Sequence, residues 1–116
     1  MTQDKRIVLF LNKVEPGVSE KKYLKNIFGA ETIILSYYVG YGDKPIDAVL
    51  TLIKKVEREF EAKVVAIEVD RLYGVLFALR FSRFQSDIKF IRAVFSHGMF
   101  EGYEEFDNFN YISLTT

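Results

Sequence analysis

Pro45-Ile46-Asp47-Ala48-Val49-Leu50-Thr51-Leu52-Ile53-Lys54-Lys55-Val56-Glu57-Arg58-Glu59-Phe60 is the stretch on which the fold turns. Ile46, Val49, Leu52, Ile53, Val56 and Phe60 recur at helical spacing, so one face is apolar and must be buried. Lys54, Lys55, Arg58, Glu59 and Glu61 fall on the other face, with Lys55 and Glu59 one turn apart. Asp43 is placed to cap this helix, and Pro45 suits its first turn. On either side lie short β-rich runs, Glu31–Val39 before it and Lys63–Val69 after it. A helix between two such strands is a β-α-β unit, and its apolar stripe needs a sheet to cover.

Working outward, Arg6–Asn12 is a near-continuous apolar run and reads as a strand buried on both faces. Glu15-Pro16-Gly17 is a turn. Ser19 is a candidate cap for a helix ending at Phe28, with Val18 as its staple residue and Gly29 as its stop. Leu24, Ile27 and Phe28 form the inner face of that helix, and Lys21, Lys22 and Lys25 face water.

Beyond Asp70 the pattern forks. Residues 71–84 alternate as a strand would, yet they also fit a helix; Tyr73-Gly74 favours a hairpin. Ser86-Asp87 opens either a helix carrying Ile88, Ile91 and Phe95 with Gly98 as its stop, or a strand. The first reading gives an α/β fold, with α+β as the neighbouring class. It is a single small domain with a four-stranded mixed sheet, two or three helices and the order β-α-β-α-β-β-α. The domain runs over residues 1–103, and residues 104–116 form an acidic, aromatic tail. Phe109 and Tyr111 alternate with asparagines there, which suits an edge strand added in cis or onto a partner.

Composition sets the outer limits. The 116 residues suit one domain, and the apolar fraction of 49% is that of a globular protein. Cysteine is absent, which removes disulfides, thiolate zinc sites and thiol catalysis. The apolar runs Ile7–Leu11 and Leu72–Leu79 are too short for a signal peptide or a membrane span, so a cytoplasmic location is expected. Scarce Asn and Gln beside abundant Lys, Glu, Arg and Ile is a bias of proteins from hot environments. A formal net charge of zero argues against a generic nucleic-acid coat.

The charge is unevenly spread. Arg71, Arg80, Arg83, Lys89 and Arg92 stand against Asp87 alone, whereas Glu101, Glu104, Glu105 and Asp107 follow with no cation among them. The two blocks either neutralise each other within the fold or leave a basic surface open. In the second case Arg71, Tyr73, Arg80, Arg83, Lys89 and Arg92 form a nucleic-acid-binding set, with arginines on phosphates and Tyr73, Phe81 and Phe84 stacking on bases. Glu68 and Asp70 are two apart on one strand, share a face, and form a candidate Mg²⁺ pair for phosphodiester hydrolysis. Gly40-Tyr41-Gly42 lacks the glycines and well-placed lysine of a phosphate loop, and Asp43 and Asp47 oppose an anion there. His97, in Ser96-His97-Gly98, reads as a helix C-terminal cap, with general-base work as the rival. No residue is assigned as catalytic and no cofactor is implied.

The order of the elements, together with Gly42-Asp43-Lys44-Pro45-Ile46-Asp47-Ala48-Val49, resembles Alba-type chromatin and RNA-binding proteins over about half the chain. That resemblance implies a nucleic-acid partner. Those proteins are basic and carry lysines near the first helix, where this chain has Asn12-Lys13-Val14-Glu15. The residues thus leave three readings. The first is a non-catalytic binding module that self-associates or docks a protein partner. The others are a nucleic-acid binder using residues 71–92 and a Mg²⁺-dependent nuclease or hydrolase.

Overall fold

The computed structural model describes residues 5–11, 15–38, 45–68, 87–107 and 110–115. Their elements run β1 (Arg6–Phe10), α1 (Val18–Phe28), β2 (Ile33–Ser36), α2 (Pro45–Phe60), β3 (Lys63–Glu68), β4 (Lys89–Ser96), β5 (Met99–Asp107) and β6 (Asn110–Ser113). All six strands form one mixed sheet in the order β2-β1-β3-β4-β5-β6. β2, β1, β3 and β4 run parallel, and β5 and β6 add antiparallel.

The order explains the layers. From β1 the chain moves outward to β2, then back past β1 to β3. Right-handed crossovers in opposite directions put α1 and α2 on opposite faces. The core divides accordingly. Ile7 and Leu9 pack with Val49, Ile53 and Val56 of α2. Val8 and Phe10 pack with Leu24 and Phe28 of α1. Burial on both faces is why β1 reads as an unbroken apolar run. A bulge in β3 matches Ile7 to Val64 and Val8 to Ala66, leaving Val65 unpaired between them. Val65 and Ala66 consequently both meet the α1 side.

Helix α1 starts two residues earlier than a Ser19 cap requires. Gly17 is the N-cap, and its N–H donates to the Glu20 carboxylate at 2.9 Å. Glu20, three residues on, supplies the reciprocal half of a capping box, so the serine is not needed. Val18 is 86% exposed and staples nothing. At the other end Gly29, at φ +120°, donates its N–H to the Lys25 carbonyl as expected of a stop. Arg6 donates to the Phe28 carbonyl at 3.0 Å, a cation at the negative end of the helix.

The four-stranded, two-or-three-helix reading is corrected: six strands and two helices stand among the described residues. The helix expected from Ser86 onward is strand β4. Phe90 is buried toward α2 and Ile91 toward α1, so both faces of the segment are covered, and a single apolar stripe does not describe it. Gly98 is therefore no helix stop, and His97 no helix cap. With φ of +52° and +79°, His97 and Gly98 form the two-residue turn joining β4 to β5, with Ser96 paired to Met99. Positive φ at both positions is the signature of a hairpin turn that matches strand twist. The strand-or-helix question over residues 71–84 and the Asp43 cap lie outside the described residues. None of the described helices is long and apolar enough to cross a membrane.

Candidate functional site

Of the nucleic-acid set named from sequence, Arg71, Tyr73, Arg80 and Arg83 lie outside the described residues; Lys89 and Arg92 stand on β4. The register places Arg92 directly opposite Glu104 on β5. Arg92 Nε and Nη2 reach one Glu104 oxygen at 3.0 and 2.9 Å. Its guanidinium carbon also lies 3.5 Å from the centre of the Tyr111 ring, contributed by β6. Lys89 Nζ pairs with Glu105 at 3.6 Å. Lys89 and Arg92 are neutralised by Glu105 and Glu104 across the β4–β5 ladder, as cross-strand pairs of opposite sign are. Both cations are thus engaged within the fold.

The Mg²⁺ pair divides in the same way. Asp70 lies outside the described residues, and Glu68 ends β3. Its neighbours across the sheet are Phe10 on β1 and Ile91 on β4. This is the carboxyl end of the parallel strands, the usual place for ligands in such sheets. Among the described residues no group of three or more His, Asp or Glu side chains gathers to hold a metal.

Close to Glu68 is a residue that sequence reasoning missed. Tyr103 on β5 is fully buried, packed edge-on against Phe10 at 6.4 Å and beside Tyr23 of α1 at 5.9 Å. Its hydroxyl is buried with no hydrogen-bond partner among the described residues. Burial pushes its ionisation far above the ordinary phenol range, and the charges of Glu68 and Glu20 push it further in the same direction. The phenol is therefore a neutral group, unfit for base chemistry. No local motif marks it: strict alternation would set Tyr103 and Phe100 on opposite faces, and only the register shift between Val94 and Phe95 brings both to the α1 side.

A second feature lies at the edge of the sheet. Among the described residues no strand lies beyond β6. Leu114 donates its N–H to the Tyr103 carbonyl, and Glu105 faces Ile112. Alternation in an antiparallel ladder then turns the main-chain N–H and C=O of Tyr111 and Ser113 outward. Ile112 is 51% exposed, and β6 holds no charged residue and no proline. β2, at the opposite edge, is only partly exposed along its length and packs Ile33, Ile34 and Leu35 against the two cores.

A third feature is an open cleft of about 540 Å³ against the outer face of α2, lined by Thr51, Lys54, Lys55, Arg58 and Glu59. The chain matches no protein-family model, no curated protein and no solved structure with which it was compared. Function must accordingly be argued from these features alone.

Proposed function

We propose that this protein is a non-catalytic binding module whose partner is a second copy of itself, docked along β6. The observation that carries this reading is the β6 edge, which no described residue blunts or covers with a further strand. Edge strands of monomers are usually blunted by lysine, proline, a bulge or a covering loop, because their free main-chain groups invite another strand. Asn110–Ser113 has no charge and no proline, and it exposes Ile112. An antiparallel pairing of β6 with its own copy is self-complementary under a two-fold axis. No like charges meet in it, and the chain's zero formal net charge sets up no long-range repulsion between copies. The engagement of Lys89 and Arg92 by Glu105 and Glu104 supports the same choice, since it removes two cations from the rival nucleic-acid set.

The test is sedimentation equilibrium of the full chain over a wide concentration range. Ser113→Pro deletes an N–H that points away from β5, so the fold tolerates it while the docking ladder loses a donor. Ile112→Lys places like charges face to face at the two-fold. A reversible dimer that both variants turn into a monomer, with far-ultraviolet circular dichroism unchanged, is the expected result. A wild-type chain that stays monomeric at every concentration refutes the proposal.

A further inference from the structure

Most cations on the sheet are spoken for. Arg6 caps α1, Lys63 pairs with Asp87 at 3.4 Å, Lys89 with Glu105 and Arg92 with Glu104. Lys54, Lys55 and Arg58 of α2 differ: among the described residues none of them makes an ion pair or a side-chain hydrogen bond. The acidic residues of the helix do little to balance them. Asp47 sits in the first turn, and Glu57 turns its carboxylate to the Val64 N–H at 3.0 Å. Among the described residues that line the recess, Glu59 is the one carboxylate. A solvated charged helix face is usually convex, whereas these three cations and the Thr51 hydroxyl line a recess of about 540 Å³.

The spacing has a chemical consequence. Thr51, Lys54 and Arg58 follow one another at i, i+3 and i+7, and Lys55 stands one turn from Thr51, so all four share one stripe. From Lys54 to Arg58 the helix rises about 6 Å. Successive phosphates of one nucleic-acid strand advance about 3.4 Å along a duplex, so cations at this interval meet alternate or adjacent phosphates of one backbone. Among the described residues that line the recess none supplies a stacked aromatic ring or a base-reading amide, and contact to backbone alone is sequence-independent.

We propose that the Lys54, Lys55, Arg58 and Thr51 face of α2 is a binding site for the phosphodiester backbone of a nucleic acid, engaged without regard to sequence. It is a site separate from the β6 edge, and it does not depend on self-association.

The experiment is fluorescence anisotropy of labelled oligonucleotides, DNA and RNA of mixed sequence, titrated with the full chain at a series of salt concentrations. Binding should weaken linearly in log–log form as salt rises, with a slope set by the number of phosphates contacted. Lys54→Gln, Lys55→Gln and Arg58→Gln should each lower that slope by about one and weaken binding equally for every sequence. Glu59→Gln should strengthen binding, because it removes the carboxylate that lines the recess beside the three cations. Lys21→Gln with Lys22→Gln, on the outer face of α1, should change neither slope nor affinity. These are exposed substitutions that leave the core intact, and circular dichroism checks that. Absence of any salt-sensitive binding overturns the proposal. So does binding that the three α2 variants leave unchanged, or that the α1 pair weakens to the same extent.

Discussion

Replacing Gly102 with Ala tests how α1 is locked to the β-hairpin. Gly102 lies on β5 at φ +154°, a conformation that L side chains rarely adopt. A β-carbon there would stand 3.0 Å from the Tyr23 hydroxyl oxygen and 3.1 Å from the ring carbon that bears it. Tyr23 cannot simply swing away. Its ring packs against Phe100 at 5.7 Å and Tyr103 at 5.9 Å, and its hydroxyl donates to the Leu114 carbonyl. Holding alanine in that backbone region costs about 1–3 kcal/mol. Displacing Tyr23 forfeits a hydrogen bond of about 1 kcal/mol. The expected loss is therefore about 2–4 kcal/mol. For 116 residues the entropy of unfolding is about 0.24 kcal/mol/K, so Tm should fall by about 8–16 °C. Thermal unfolding followed by circular dichroism reads this directly, and chemical denaturation supplies the free energy. The decisive comparison is with a Tyr23→Ala background. There the clash has no partner, and Gly102→Ala should cost less by about 1 kcal/mol or more, leaving the backbone strain. A loss under about 0.5 kcal/mol in the wild type, or an equal loss in both backgrounds, refutes the reasoning.

Other outcomes follow from the same structure. Ile67→Ala, at a fully buried position between β1 and β4, should cost about 2–5 kcal/mol in denaturant unfolding. A double-mutant cycle on Arg92 and Glu104, whose side chains are each 25% exposed, should give a coupling of about 0.5–1.5 kcal/mol. The same cycle on Lys63 and Asp87, exposed at 69% and 55%, should give close to nothing. Tyr103 supplies a pH signature. Its ionisation is raised in the folded state, so folding holds its proton more tightly, and the stability linked to it is complete below the ordinary phenol value of 10.0. Above that value the unfolded chain ionises first, and stability falls by up to about 1.4 kcal/mol per pH unit. Tyr103→Phe should remove this alkaline loss; an unchanged profile would mean that Tyr103 does not contribute it.

The local elements before Glu68 were legible because each obeys a short-range rule. α2 follows from apolar residues at helical spacing, β1 from an unbroken apolar run and the end of α1 from Gly29. Position in the sheet was not legible, since pairing depends on contacts far apart in sequence. Segment 88–95 carries apolar residues that suit a helix stripe as well as a strand buried on two sides; only covering layers on both faces select the strand. The acidic residues from Glu104 onward read as a tail because composition carries no register. The ladder makes them the partners of β4, with Glu104 under Arg92 and Glu105 by Lys89.

The candidate sites divide in the same way. The basic block and the acidic block were visible as charge, and their mutual pairing was one of the two outcomes that sequence allowed. Which outcome holds for Lys89 and Arg92 was decided by strand register. Lys54, Lys55 and Arg58 were visible as the outer face of a helix, yet a linear sequence cannot tell a convex face from a recessed one. The sequence by itself determined the helix faces, the buried first strand, the Gly29 stop of α1 and the absence of cysteine chemistry, because propensity, periodicity and residue chemistry act over a few residues. Only the tertiary structure decided that, among the described residues, no strand lies beyond β6, that Tyr103 meets Phe10 and Tyr23 in the core, and that three cations of α2 keep no partner. Each of these depends on which distant segments the sheet brings together, and that choice is made by packing both faces at once.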